Sequence, residues 1–223
     1  ARQDKKHKGR EPISARLISD LYKTAGADRL MCVDLHTSQI QGFFDGPLDH
    51  LFAIPVLAKH IRERVEDLSN VTVVSPDTGR VRVAEHWADL LDGAPLAFVH
   101  KTRDINVPNQ AVSKTVVGDI EGRTCVLIDD MIDTGGTIAG AVKVLMDKGA
   151  KEVIIAATHP VLSDPAAERL SQCGAVEVVV TNTLPVSEEK QFDNLTILSI
   201  APLIARAIRE VFDEGSVTEI FEH

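Results

Sequence analysis

The sequence predicts an α/β protein built on mostly parallel sheets with helices on both faces. Three observations carry that expectation. Short apolar runs rich in Val and Ile recur along the chain and alternate with stretches whose apolar residues fall at helical spacing. Turns containing Gly or Pro stand between them and both start and stop the helical patterns. The run Cys125-Val126-Leu127-Ile128 passes through a glycine-rich turn directly into a helical pattern over residues 138–146, the strand–turn–helix order of such a sheet. With 223 residues, 44% hydrophobic and 26% charged, the chain is long enough for one large domain or two small ones.

From the N-terminus, Arg2, Lys5, Lys6, Lys8 and Arg10 stand against Asp4. This fits either a solvated basic tail or a cradle for an anionic ligand such as a nucleotide. Pro12 opens an amphipathic helix with Ile13, Leu17, Ile18 and Leu21 on its apolar side, and Gly26 stops it. A strand is expected over residues 29–35, then a polar loop through 39–44. Pro55 starts a helix over 56–66, a short strand spans 71–74, and a helix follows over 81–91. Residues 96–99 form another strand. From His100 to about Ser113 apolar periodicity is lost, and a loop of that length without structure of its own leans functional. After the central motif come a strand over 153–157, a helix over 165–173, strands over 176–180 and 195–200, a helix over 202–212, and a short strand over 216–221.

Composition excludes several classes of function. No run of about 18 apolar residues occurs, so no membrane span is predicted. The basic first residues have no apolar stretch behind them, so no secretory signal is visible. Cys32, Cys125 and Cys173 are scattered without a C-x-x-C, the pattern of reduced core residues in a cytoplasmic protein. A net charge of −9 opposes broad contact with nucleic acid.

The stretch from Val126 to Thr137 is the most informative. Asp129 and Asp130 stand where the apolar strand ends, followed by Asp133-Thr134-Gly135-Gly136-Thr137 and a helix with apolar residues at 138, 141, 142 and 145. Glycines let the backbone approach an anion, and amides at a helix start hold a phosphate. Carboxylates only accept hydrogen bonds and so suit the hydroxyls of a ribose. Together they describe a pocket for a 5-phosphorylated ribose. The bland alternative is an acidic strand end before a Thr-capped helix. The turn is neither a Walker A loop nor a G-x-G-x-x-G. Four apolar residues, two acids, two apolar residues and Asp-Thr-Gly-Gly-Thr resemble instead the signature of phosphoribosyltransferase-type proteins.

Around this motif stand, in order, Arg2-Gln3-Asp4-Lys5-Lys6, Arg10-Glu11-Pro12-Ile13, Asp34-Leu35-His36, Gln39-Ile40-Gln41-Gly42-Phe43-Phe44-Asp45, Ser75-Pro76-Asp77, Lys101-Thr102-Arg103 and Thr158-His159-Pro160-Val161-Leu162-Ser163. Over essentially its whole length the chain resembles the bacterial type of the ribose-phosphate diphosphokinase family, also called PRPP synthetases. The resemblance implies transfer of the diphosphate of ATP to the C1 hydroxyl of ribose 5-phosphate with Mg²⁺, giving PRPP and AMP for nucleotide biosynthesis. It also implies a cytoplasmic homo-oligomer, typically a hexamer. Carried onto this chain, Arg2 and Gln3 match the ATP contacts, and His36 and Asp77 the magnesium-linked positions. Lys101 and Arg103 match a catalytic loop whose arginine also approaches ribose 5-phosphate. Asp129 and Asp130 match the ribose-hydroxyl acids, and Asp133, Thr134, Gly135, Gly136 and Thr137 the 5-phosphate loop. Mg²⁺ prefers oxygen ligands, which makes Asp77 natural in that role and His36 unusual.

Two features depart from the family. Gly79 is followed by Arg80 where the family has a second glycine, and the family extends further at the N-terminus. The chain is therefore expected to hold two phosphoribosyltransferase-like domains, the first incomplete. Residues 1–53 would end the first domain, with 213–223 returning to it, and 54–212 would form the second. The rivals are a PRPP-consuming phosphoribosyltransferase, which needs no ATP segment, and a non-catalytic regulatory homologue, which would lack the Lys-x-Arg or Asp-Asp pair. Both pairs are present.

Overall fold

A computed structural model describes residues 3–6, 9–77, 81–102 and 113–221. The chain divides into two compact units, Ala1–Ala53 with Ala201–His223, and Ile54–Ile200.

In the first unit, α1 spans Ser14–Thr24, and Gly26, at φ +94°, lies just past its end. The helix buries Ala15 and Ser19, whereas the stripe that marks it in the sequence lies outward, with Leu17 58% and Leu21 55% exposed. β1 (Leu30–Val33) pairs in parallel with β2 (Leu48–Leu51). The sequence gives no warning of β2, because Leu-Asp-His-Leu is short and half polar. Part of the polar loop between these strands, Ser38–Phe43, is a 3-10 helix. β1 leads into Asp34, held at φ +42°, whose N–H donates to Leu51 O at 2.9 Å and whose Oδ2 accepts from Ala53 N at 3.0 Å. The next amide, Leu35 N, donates to His50 Nε2 at 2.9 Å.

The second unit begins with α2 (Ile54–Arg64), with Pro55 in its first turn. It continues through β3 (Val71–Ser75), α3 (Val81–Leu90), β4 (Leu96–Thr102), β5 (Ser113–Val117), β6 (Thr124–Ile132), α4 (Gly136–Asp147), β7 (Glu152–Pro160), α5 (Ala166–Gln172), β8 (Glu177–Thr181) and β9 (Leu195–Leu198). Seven strands form one sheet in the order β5-β4-β3-β6-β7-β8-β9, parallel except for β5. Strand alternation sends Leu127, Val153, Ile155 and Val180 to one face, where they pack with Ile138, Ala141, Val142, Leu145 and Leu170 of α4 and α5. Val73, Val126, Ile154 and Val179 face the other way and are fully buried; α2 and α3 pack against β3, β4, β7 and β8. Burial on both faces is why the strands read as continuous apolar runs. Cys125 lies inside this core, and burial pushes its thiol up to about 12.

Three expectations about elements need correction. The segment read as a loop from His100 begins later, because β4 runs to Thr102 and pairs with antiparallel β5, Lys101 standing opposite Lys114. β5 was hidden because Ser-Lys-Thr-Val-Val has only two apolar residues and its partner is not contiguous. β6 likewise runs on to Ile132, so Asp129 and Asp130 lie within the strand rather than beyond it. Finally, Thr218–Phe221 is a 3-10 turn rather than a strand. It is closed by Ile220 N to Val217 O at 3.3 Å, with the Phe221 ring edge-on to Phe52.

The last helix, α6 (Ala201–Phe212), groups with the first unit, so the division falls at Ile200 where the sequence reading put it at 212. The sheet ends at β9, and Asn182 Oδ1 accepts the Ile200 N–H at 2.9 Å as the chain leaves it. Among the described residues no helix is long and apolar enough to cross a membrane.

The His50 contact makes the first unit sensitive to pH. Accepting the Leu35 amide requires an unprotonated Nε2, and burial lowers the His50 pKa below its usual 6.5, with Asp34 opposing. A depressed folded pKa gives stability that is complete above 6.5 and is lost as pH falls through the folded value. We predict that denaturant midpoints for this unit fall below pH 6.5, and that His50→Gln flattens the dependence. An unchanged slope in that variant would contradict the assignment.

Candidate active site

The strand order places the predicted residues. From β3 the chain moves outward to β4 and β5, then returns to pair β6 on the other side of β3 and continues to β7. The order therefore reverses between β3 and β6. In an open α/β sheet the crevice beyond the carboxyl ends of strands at such a reversal is where ligands bind. Asp77 follows β3 by two residues, and Asp129 and Asp130 lie near the carboxyl end of β6, next to it in the sheet. Lys101 lies near the carboxyl end of β4, on the other side of β3.

The turn after β6 has the features of an anion cradle. Gly135 caps α4 at φ +70°, ψ −5°, a left-handed conformation glycine adopts without penalty. The N-cap residue is a glycine, which has no side chain to cap the helix, and no acid occupies the first turn. The first intrahelical bond from the turn is Ala139 N to Gly135 O at 2.9 Å. Gly136 and Thr137 therefore present their amides at the positive end of the helix dipole. Thr134, Gly136 and Thr137 are exposed while Gly135 is buried. A Cβ on Gly135 would lie 3.5 Å from Leu170 Cγ and 3.6 Å from Ala166 Cα, so α5 forms the floor of the turn.

Asp129 is half-buried and its Oδ1 accepts from Asp130 N at 2.8 Å; Asp130 is 9% exposed. Alternation along β6 turns these neighbours to opposite sides of the sheet, so Asp129 is the more accessible of the pair. Asp77 is exposed, and its backbone oxygen accepts from Ser75 Oγ at 2.6 Å, which fixes the chain just past β3. On the far side of β6, His159 stands in register with Met131. His159 Nδ1 is 2.9 Å from Thr183 Oγ1, and Thr181 and Thr183 both donate to Thr158 O. This network pins the carboxyl ends of β7 and β8.

In the first unit, Gln3 lies against the start of α1. Its backbone oxygen accepts from Ala15 N at 3.1 Å and its side-chain oxygen from Ser14 Oγ. Asp4, 6% exposed, accepts from Thr37 Oγ1 at 3.0 Å and Gln39 Nε2 at 2.5 Å. Burial raises the Asp4 carboxyl, but these bonds and Lys5 outweigh it and hold the group below its ordinary range. Residues 3–4 are thus tethered rather than a solvated tail. His36 is half-buried and follows the Asp34 turn. Arg2, Arg103 and the turn 78–80 lie outside the described residues.

The donor set bears on metal binding. Among the described residues no cluster of three or more His, Cys, Asp or Glu side chains offers a ready cage. Mg²⁺ is commonly held by one or two carboxylates with substrate phosphates and water, and the exposed Asp77 fits that mode. An imidazole such as His36 fits it less well. Sequence reasoning missed Arg169, whose Nη1 donates to Thr134 O at 2.9 Å. No spacing rule signals a contact made across the fold.

Comparison with known proteins bears on the family. Residues 99–222 match the model of the phosphoribosyl synthetase-associated domain family. The chain is 69% identical over 222 residues to a ribose-phosphate pyrophosphokinase of Mycobacterium tuberculosis, covering 100% of this chain and 68% of the relative. A ribose-phosphate pyrophosphokinase of Bifidobacterium longum is 67% identical over 223 residues, covering 100% and 66%. The crystal structure of phosphoribosylpyrophosphate synthetase from Mycobacterium smegmatis superposes with a TM-score of 0.89 at 65% identity, covering 96% of this chain and 68% of that one.

Proposed function

The chain belongs to the ribose-phosphate pyrophosphokinase family, and from that premise we propose that it transfers the β,γ-diphosphate of ATP to the C1 hydroxyl of ribose 5-phosphate. The C1 oxygen bonds to the β-phosphorus, the bridging oxygen departs with AMP, and the hydroxyl proton is released. The products are PRPP and AMP. The observation that carries this reading is the left-handed Gly135 turn at the start of α4, beside Asp129 and at the point where the strand order reverses.

Such a transfer needs little covalent help from a protein; it needs alignment and neutralisation of charge on phosphoryl oxygens. We assign the 5-phosphate to the turn Asp133-Thr134-Gly135-Gly136-Thr137, and the ribose hydroxyls to Asp129, with Asp130 supporting it. Lys101 and Arg103 supply cations over the transferred group and exclude water that would otherwise hydrolyse ATP. The backbone of Lys101 belongs to β4, opposite Lys114 of β5. Arg2 and Gln3 are assigned to ATP. The enzyme class calls for a divalent metal; we assign Mg²⁺, which would neutralise phosphate charge, to Asp77, and carry over His36 as the second magnesium-linked residue. A cytoplasmic homohexamer is part of the same proposal. The two rivals fare worse: the relatives at 65–69% identity carry the synthetase name, not that of a PRPP-consuming transferase, and the Asp129-Asp130 and Lys101-x-Arg103 pairs argue against a non-catalytic homologue.

Incubation of the intact enzyme with ATP, Mg²⁺ and ribose 5-phosphate should yield AMP and PRPP in equal amounts; ADP in their place would indicate an ordinary kinase and refute the proposal. Lys101→Ala should lower kcat ~10²-fold or more with ATP binding retained, as for loss of a transition-state donor. Asp129→Asn should raise KM for ribose 5-phosphate about tenfold and that for ATP far less. Equal effects on both substrates would contradict the pocket.

A further inference from the structure

Building on that reading of the turn, we infer that Arg169 is a positioning residue for ribose 5-phosphate: its bond to Thr134 O sets the peptide that aims the Gly135 N–H at the phosphate. Thr134-Gly135-Gly136 joins a rigid strand to a rigid helix through two glycines, and glycine occupies positive and negative φ about equally. The peptide between Thr134 and Gly135 can therefore reverse with little penalty, swapping the directions of its C=O and N–H. A loop that can reverse in this way holds an anion only part of the time, and its affinity falls by that fraction.

Something must hold the peptide in one sense, and the structure shows what does. Arg169 Nη1 donates to Thr134 O at 2.9 Å. In a planar trans peptide the C=O and the following N–H point in opposite directions. With the Thr134 oxygen drawn toward Arg169, the Gly135 N–H points the opposite way, the side from which this proposal has the phosphate approach. The guanidinium also lies close to the next residue, with Nη1 3.4 Å from where a Cβ on Gly136 would stand.

α5 is a firm base for this contact. Ala166 and Leu170 are fully buried under the turn, and Leu162 N donates to Ile132 O at 2.9 Å, tying the segment before α5 to the end of β6. Arg169 itself is exposed. An exposed hydrogen bond adds little to folding stability, so Arg169 can be replaced without unfolding the domain. Its effect lies in the orientation of the turn.

The test compares Arg169→Met and Arg169→Lys with wild type in the intact enzyme. Titration calorimetry gives ribose 5-phosphate affinity, steady-state kinetics the KM for ATP, and thermal unfolding the stability. Arg169→Met is expected to weaken ribose 5-phosphate binding ~10-fold, as for loss of a charge-assisted bond, with KM for ATP and Tm unchanged. Arg169→Lys, which keeps a cationic donor, should recover most of the affinity. Unchanged affinity in Arg169→Met would overturn the inference. So would equal losses in both variants, or a parallel loss of ATP affinity and Tm. If wild type itself fails to bind ribose 5-phosphate, the pocket is misassigned and the inference falls with it; normal binding by wild type and by Arg169→Met refutes the inference alone.

Discussion

The parallel pairing of β3 with β6, in register from Val71 and Thr124 to Val74 and Leu127, is the constraint on which the candidate site depends. It joins strands separated in the chain by α3, β4 and β5. By doing so it forces the strand order to run outward on one side and back on the other. Helices cover both faces of the sheet, so polar chemistry has room only at the strand ends. The carboxyl ends of β3 and β6 are where Asp77, Asp129 and the Gly135 turn emerge. A slip of one residue in this pairing would exchange Val73 and Val126 for their neighbours on the opposite face, and burial on both sides forbids it.

Much of this was legible in the sequence, because the most informative part is contiguous. Strand, acids, glycine turn and helix follow one another from Cys125 to Asp147, and local rules suffice to read them. The turn needs no distant residue to announce itself, since a left-handed glycine at the helix start is written into Thr-Gly-Gly-Thr. What the sequence hid depends on pairing across the fold. β2 and β5 are short, partly polar strands whose identity comes from a partner rather than from a period. Reading β5 as loop also set Lys101 free, whereas β4 carries it. Thr218–Phe221 erred in the other direction: Ile and Phe suggest a strand, but no strand among the described residues pairs with the segment, which closes on itself as a 3-10 turn. Arg169 acts from 35 residues away and belongs to no motif.

The two units differ in how they use their apolar residues. The larger one buries most of the Val, Ile and Leu of its central strands in two layers around the sheet. In the smaller one, α1 and α6 carry apolar side chains outward, Phe212 being 82% exposed. The chain spans about two thirds of the length of the relatives it matches. Hydrogen bonds around Asp4, Asp34 and His50 tie the segments of the smaller unit together.

Cys125 gives this architecture a chemical readout. Thiols react as thiolates, and one whose pKa is pushed up to about 12 inside a sealed sheet offers almost none of that form. An alkylating reagent can label it only when β6 parts from its neighbours, so the rate of labelling is a clock for opening of the strand that carries Asp129. Cys32 and Cys173, each half-buried, are raised less and should be marked sooner, which makes the order of modification a map of which parts of the molecule breathe first.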